Sequence, residues 1–289
     1  MSPANMAKSV HQRLLNLRDE TGEPFDRLLI RYGLERLLYR LQMAGYGDDF
    51  VLKGAILFSL WQRMPGRPTR DLDLLGYGSA AHEDLRKIFI HVCEVNVVDD
   101  GLTFDTSSIK IEDIREEEEY QGLRVRMTAY LDRARIPVQI DIGYGDAVTP
   151  MPEVVEYPAL LDFPPPSVLI YHPATVVAEK FNAMVVLGIV NSRLKDFYDL
   201  YTILTMMNIS DRQLITSIKS TFSRRNVKMP SEMPFVFAPE FLRGGHKETE
   251  WQTFLKRSQL TDCDLSFAEV VQYLRERLWP LIEEINRGE

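Results

Sequence analysis

Three consecutive prolines, Pro164-Pro165-Pro166, constrain this chain more than any other feature of its 289 residues. Three pyrrolidine rings in a row remove three backbone donors and fix three φ angles, which excludes a helix interior or a central strand. The tract predicts a linker. The residues before it are mixed in periodicity, and those after it read helical.

Before the prolines, Val10 to Leu41 carries leucines at 14, 17, 28, 34, 37, 38 and 41, the spacing of helices, broken into two by Gly22-Glu23-Pro24. Phe50 to Leu60 is an apolar run interrupted by Lys53-Gly54. Asp71 to Leu75 predicts a short strand ended by Gly76, and Ala81 to Glu94 a helix. Strand-like segments come next at Val95–Val98, Gly101–Phe104, Ser108–Ile114, Leu123–Leu131 and Pro137–Ile142. The acidic run Glu116 to Glu119 reads as a solvated loop. After the prolines, helices are expected over Pro173–Leu187, with proline in the first turn, then over 193–207, 211–222, 250–257 and 266–285. The expectation is an α+β N-terminal domain over 1–163 and a helical domain over 167–289.

Composition narrows the function classes. Hydrophobic residues are 45% and charged residues 26%, a globular balance. Two cysteines cannot build a disulfide framework or a multi-thiolate metal site, and the five histidines lack ligand spacing. No apolar stretch approaches a membrane span, and the polar segment Met1 to Arg13 lacks a signal-peptide core, so a cytoplasmic protein is expected. The net charge is −8, from 34 basic and 42 acidic residues. This does not advertise non-specific nucleic-acid binding, although a local basic patch can act against the average. Arg224-Arg225-Asn226-Val227-Lys228 with Arg243 to Lys247 is the best such patch. It reads as a solvated loop region or as a seat for an RNA backbone.

The segment with most chemical content is Lys53-Gly54-Ala55 followed by Asp71-Leu72-Asp73. Alternate side chains of a strand share a face, so Asp71 and Asp73 should point one way and Leu72 and Leu74 into the core. Their attachment points then lie roughly 6–7 Å apart. That suits two carboxylates converging on a hard cation, which prefers oxygen ligands. Asp141 places a third carboxylate in the β-branched strand Val138-Gln139-Ile140-Asp141-Ile142, where an unpaired charge is costly. Each element has an ordinary counterpart. Asp-x-Asp pairs are common at strand ends, Asp141 alone reads as a strand residue paired with a local arginine, and Lys-Gly is usually a turn. Together they are what metal-assisted nucleotidyl or phosphoryl transfer requires.

Leu52-Lys53-Gly54-Ala55, then Arg67-Pro68-Thr69-Arg70-Asp71-Leu72-Asp73-Leu74-Leu75-Gly76, resembles the first motif of the AbiEii/AbiGii-type nucleotidyltransferase toxins, members of the DNA polymerase β-like superfamily. The resemblance continues at Ala178-Glu179-Lys180-Phe181 and at Arg193-Leu194-Lys195-Asp196-Phe197-Tyr198-Asp199-Leu200, so it spans residues 50 to 201. It implies a polymerase β-like core with a mixed sheet and a C-terminal helical bundle. It implies Mg²⁺ or Mn²⁺ on Asp71, Asp73 and Asp141, and NTP contacts at Lys53, Gly54, Ala55, Thr69, Arg70 and Lys180. Asp196 is implied to orient a basic or metal-site partner. The turn departs from the family: Gly54-Ala55 replaces Gly-Ser or Gly-Gly, so a hydroxyl donor is lost and backbone N–H groups must serve the phosphates. Periodicity alone favours a different picture of the last two motifs, with Lys180 solvated and Arg193–Asp196 a surface i, i+3 pair.

The activity implied is transfer of a nucleoside monophosphate from an NTP to an acceptor hydroxyl. The setting implied is a toxin–antitoxin or phage-defence pair, with tRNA as acceptor and a separately encoded antitoxin. Two alternatives stand beside it. One is an antibiotic-modifying nucleotidyltransferase, which the negative charge suits because aminoglycosides are cationic. The other is an inactive nucleotide-binding module, for which Gly54-Ala55 would be the sign of decay.

Overall fold

A computed structural model describes residues 3–61, 70–114, 122–188, 193–242, 246–260 and 265–288. The chain divides into two compact units. The first takes the described residues up to Leu60, those from Arg70 to Gly145, and Glu153 to Ile170; the second takes Trp61, Asp146–Pro152 and the described residues from Tyr171 onward.

In the first unit, helices α1 (Pro3–Thr21) and α2 (Phe25–Met43) are separated at Gly22, whose φ of +73° closes the first helix in a conformation costly to other residues. Strand β1 (Phe50–Lys53) runs through a 3-10 turn, Gly54–Ile56, into the single turn α3 (Leu57–Leu60). Next come β2 (Leu72–Gly76), α4 (His82–Glu94), β3 (Leu102–Ile114), β4 (Gly122–Leu131), β5 (Ala134–Tyr144), β6 (Glu153–Glu156) and β7 (Ser167–Ile170). Seven strands make one sheet in the order β3-β4-β5-β2-β1-β7-β6. It is mixed: β2–β5 and β1–β7 are parallel and the other pairs antiparallel.

The sheet arises from alternation. Along β5, Ile136, Val138, Ile140 and Ile142 are buried while Arg135 and Pro137 are exposed. Each fully buried aliphatic side chain contributes about 1.5–3 kcal/mol, which fixes which face meets the core. Helix α2 lies on that face. A Cβ added at Gly33 would stand 3.1 Å from Ile136 Cγ2, so the glycine allows close approach of helix and strand. Helix α2 is buried on every side over Leu34–Leu41, including Glu35, Arg36 and Arg40. Asp100 pairs with both arginines, accepting from Arg36 Nε at 3.0 Å and from Arg40 Nη1 at 2.6 Å.

Several sequence expectations change here. Val95–Val98 forms no strand. The segments Gly101–Phe104 and Ser108–Ile114 belong to one strand, β3, interrupted by a register shift between Asp105 and Lys110. Asp71 is a bend residue leading into β2 rather than its first member. The prolines do not end the first unit. Pro164 O accepts from Arg36 Nη1 at 2.7 Å and Pro166 O from Tyr157 N at 2.8 Å. The chain then enters β7 (Ser167–Ile170), a strand at the start of the span expected to be a helical domain.

The second unit is helical: α5 (Pro173–Leu187), α6 (Leu194–Met206), α7 (Asp211–Arg224), the single turn α8 (Pro239–Leu242), α9 (His246–Arg257) and α10 (Phe267–Arg287). Start signals are local. Pro173 opens α5 behind His172, whose Nδ1 accepts from Ala174 N, and capping boxes Ser210/Gln213 and Ser266/Glu269 open α7 and α10. The core is aromatic: Phe197 meets Phe267 edge-on at 4.9 Å, and Trp251, fully buried, donates its indole N–H to Leu265 O.

Candidate functional site

The sheet register assembles the candidate site of the first unit. Lys53 on β1 faces Asp73 on β2, Asp73 faces Asp141 on β5, Asp141 faces Arg124 on β4, and Arg124 faces Glu112 on β3. Five charged residues from five strands thus form one row across the sheet. Their apolar strand neighbours, among them Leu52, Leu74, Ile140 and Val125, are buried on the opposite face. The charges alternate except at one point: Asp73 and Asp141 stand side by side on parallel strands, about 4.8 Å apart in backbone. Like charges so placed repel unless a cation or guanidinium intervenes.

Arg124 partly supplies that charge. Its Nε donates to Asp141 Oδ1 at 2.7 Å and its Nη2 to Asp141 Oδ2 at 2.6 Å, a side-on bidentate pair. These bonds hold the guanidinium above its ordinary pKa, with the negative charges of Asp141, Asp71 and Glu112 adding to the effect. Asp71 therefore belongs to the same electrostatic neighbourhood although it lies outside the strand.

Gly54 shapes the other side of Asp73. Its φ is +75°, and a Cβ there would fall 2.0 Å from Asp73 Oδ2 and 2.8 Å from Asp73 Cβ. Only glycine satisfies both the backbone angle and the approach of that carboxylate. Ala55 is buried in the turn, Lys53 half-buried before it and Arg70 exposed. Thr69, the remaining expected nucleotide contact, lies outside the described residues.

Among the described residues no three carboxylate, imidazole or thiol groups form a ready metal cage. The donor chemistry nevertheless fits a hard cation. Asp73 and Asp141 present oxygens from adjacent strands, Gly54 leaves Asp73 room, and Mg²⁺ ordinarily takes only one or two protein carboxylates beside water and phosphate. Asp141 is the partly committed member, since Arg124 engages both its oxygens.

In the second unit, Lys180 on α5 is not solvated. Its Nζ lies 2.7 Å from Asp196 Oδ1 and 2.8 Å from Asp199 Oδ2, with the two aspartate side chains 8% and 1% exposed. One turn apart, the aspartates share a face of α6. Burial pulls the ammonium pKa down, but the charges of Asp199 and Asp196 outweigh it and leave Lys180 raised. Asp196 moves the other way: burial raises it, Lys180 outweighs burial, and the carboxyl sits below its ordinary value. Nearby, Arg225 of the basic run donates to Asp146 at 3.0 Å and stands 3.7 Å from Glu179. Arg243, Gly244 and Gly245 of the second basic run lie outside the described residues.

Sequence reading gave no role to Asp199, although it stands in the last motif, and did not name Arg124 as the arginine on Asp141. The signal for Asp199 was its i, i+3 spacing from Asp196. For Arg124 it was the alternation Leu123-Arg124-Val125-Arg126-Met127, which marks a polar face but names no partner.

A mixed seven-stranded sheet with a run of helices after it in the chain defines an α+β protein. The chain belongs to the AbiEii nucleotidyl transferase toxin family of type IV toxin–antitoxin systems, whose family model matches residues 36–273. No curated protein matches it in sequence. Two solved structures from Helicobacter pylori are similar to it. JHP933 is 14% identical, with 90% of this chain and 91% of that one covered and a TM-score of 0.47. A candidate nucleotidyltransferase is 15% identical, with 91% and 96% covered and a TM-score of 0.49. Among the described residues no helix is long and apolar enough to cross a membrane.

Proposed function

We propose that this protein transfers a nucleoside monophosphate from an NTP to a hydroxyl of tRNA and releases pyrophosphate, as the toxin of a toxin–antitoxin or phage-defence pair with a separately encoded antitoxin. The observation that carries the reading is Asp73 in register with Asp141 on parallel strands, beside a positive-φ glycine whose lack of a Cβ leaves room for the Asp73 carboxylate. Family membership supports the nucleotidyl transfer; the acceptor and the cation belong to the proposal.

Asp71 and Asp73, joined by Asp141, would hold Mg²⁺ or Mn²⁺, which when bound neutralises phosphate charge and lowers the pKa of the attacking hydroxyl. Gly54 leaves room for the Asp73 carboxylate beside the turn, whose backbone N–H groups would serve the NTP phosphates. Lys53, which faces Asp73, and the exposed Arg70 would add positive charge for those phosphates. The acceptor proton passes to Asp141 when its oxygens are free of Arg124. Lys180 is assigned to the triphosphate, and Asp196 to holding its ammonium, for which the 2.7 Å contact speaks.

The test is incubation with each NTP, labelled in turn at the α- and γ-phosphate, with total tRNA or with aminoglycosides. Retention of α-label on tRNA together with release of labelled pyrophosphate is expected. Label on an aminoglycoside would assign a small-molecule acceptor, γ-label on tRNA would mean phosphoryl rather than nucleotidyl transfer, and no transfer to any acceptor would favour the binding module.

A further inference from the structure

Of the five charges in the row, Arg124 is the one whose bonds compete with the chemistry proposed for its neighbour. A carboxylate gripped side-on by a guanidinium has the inward lone pairs of both oxygens committed, and a cation approaching Asp73 meets a positive charge beside it. Resting on the proposed cation at Asp73 and Asp141, we propose that Arg124 is a positioning residue that holds Asp141 while no divalent cation is bound and yields it to the cation. Arg124 and the cation therefore compete for Asp141, and Arg124 sets the concentration at which the site fills.

Three observations carry this. The register leaves Asp73 and Asp141 as the single like-charged neighbours of the row, with Lys53 beside Asp73 and Arg124 beside Asp141. A second carboxylate lies beside the guanidinium: Glu112 faces Arg124 from the side away from Asp141, with its Oε2 accepting from Arg126 Nη1 at 2.6 Å. The move also disturbs no core, since the Arg124 side chain is 31% exposed and Glu112 51%.

The test is Mn²⁺ binding to the full chain without NTP, followed by the electron paramagnetic resonance of free Mn²⁺. Arg124→Gln is expected to bind Mn²⁺ about ten-fold more tightly than wild type, and Arg124→Gln combined with Asp141→Asn to lose that gain. Melting gives a second readout. In EDTA, Arg124→Gln should melt below wild type, because Asp73 and Asp141 lose their guanidinium neighbour, and saturating Mn²⁺ should close the difference. Equal or weaker Mn²⁺ binding by Arg124→Gln would overturn the proposal. So would a gain that survives Asp141→Asn, since that reflects general charge rather than release of Asp141. If Arg124→Gln does not fold, Arg124→Lys, which keeps the charge but not the fork, should gain about three-fold, and wild-type affinity would overturn the proposal equally. Failure of the underlying reading looks different: Asp73→Asn would then bind Mn²⁺ as tightly as wild type, whatever Arg124 does.

Discussion

Gly54 stands at φ +75° with the Asp73 carboxylate where its side chain would be. Gly54→Ala is expected to destabilise by about 1–3 kcal/mol from the backbone alone, and to displace Asp73 as well. Nucleotide transfer should then fall further than stability does; a Gly54→Ala protein with wild-type turnover in parallel kinetic and urea-unfolding measurements would show that Asp73 has freedom there. Lys180 argues at the same scale. Two buried carboxylates depend on it, so Lys180→Ala should cost about 3–5 kcal/mol in urea unfolding, the signature of breaking a buried pair. A change within about 0.5 kcal/mol would return it to a surface residue. The variant with Lys180→Met, Asp196→Asn and Asp199→Asn removes the charges together. It should recover most of the fold, and a raised NTP KM in that protein would reveal the phosphate role separately from the structural one.

At the scale of elements, the helices of the second unit were legible because their signals are local. Pro173 with His172 opens α5, and Ser266 with Glu269 opens α10. Ser266→Ala should cost about 1 kcal/mol of stability and leave transfer unchanged; no loss in thermal or urea unfolding would mean the cap is redundant. The core of the sheet was legible in part, since the alternation of β5 marks its buried face. The four-residue strands β6 and β7 were not. Their few residues show no period of their own, and β7 exists because β1 offers it a parallel partner at Val51 and Leu52. The candidate site was legible as residue types and not as partners. Asp71, Asp73 and Asp141 stood out as carboxylates in apolar surroundings. That Arg124 would grip Asp141, or that Lys180 would be buried between two aspartates, depends on register and helix packing that distant residues impose. Beside the charge of Arg193, which periodicity pairs with Asp196, the fold sets Lys180 on the Asp196 side chain because burial places it between two aspartates.

Across the whole molecule, each unit carries a buried acid whose charge the fold favours. In the first, burial would raise the Asp100 carboxyl, but the hydrogen bonds and charges of Arg40 and Arg36 bring it below its ordinary value of 3.8. In the second, Lys180 does the same for Asp196. An acid whose folded pKa is depressed adds stability that is present above its unfolded pKa and lost as pH falls through the folded one. Unfolding free energy should therefore be flat with respect to these two groups near neutral pH and decline below about pH 4. Replacing Asp100 or Asp196 by Asn should lower stability at pH 7 and flatten that decline; an undiminished acid slope in both variants would show that other groups set it. The central claim is that Asp73, cradled at Gly54 and facing Asp141, is a centre for nucleotidyl transfer. The most direct measurement is transfer of α-labelled nucleotide to tRNA by wild type and by Asp73→Asn, with Mg²⁺ present and folding of both checked by melting. Asp73→Asn removes one of two like charges and should melt no lower than wild type by more than about 1 kcal/mol equivalent, while transfer is abolished. Near-wild-type transfer by a folded Asp73→Asn protein would contradict the claim.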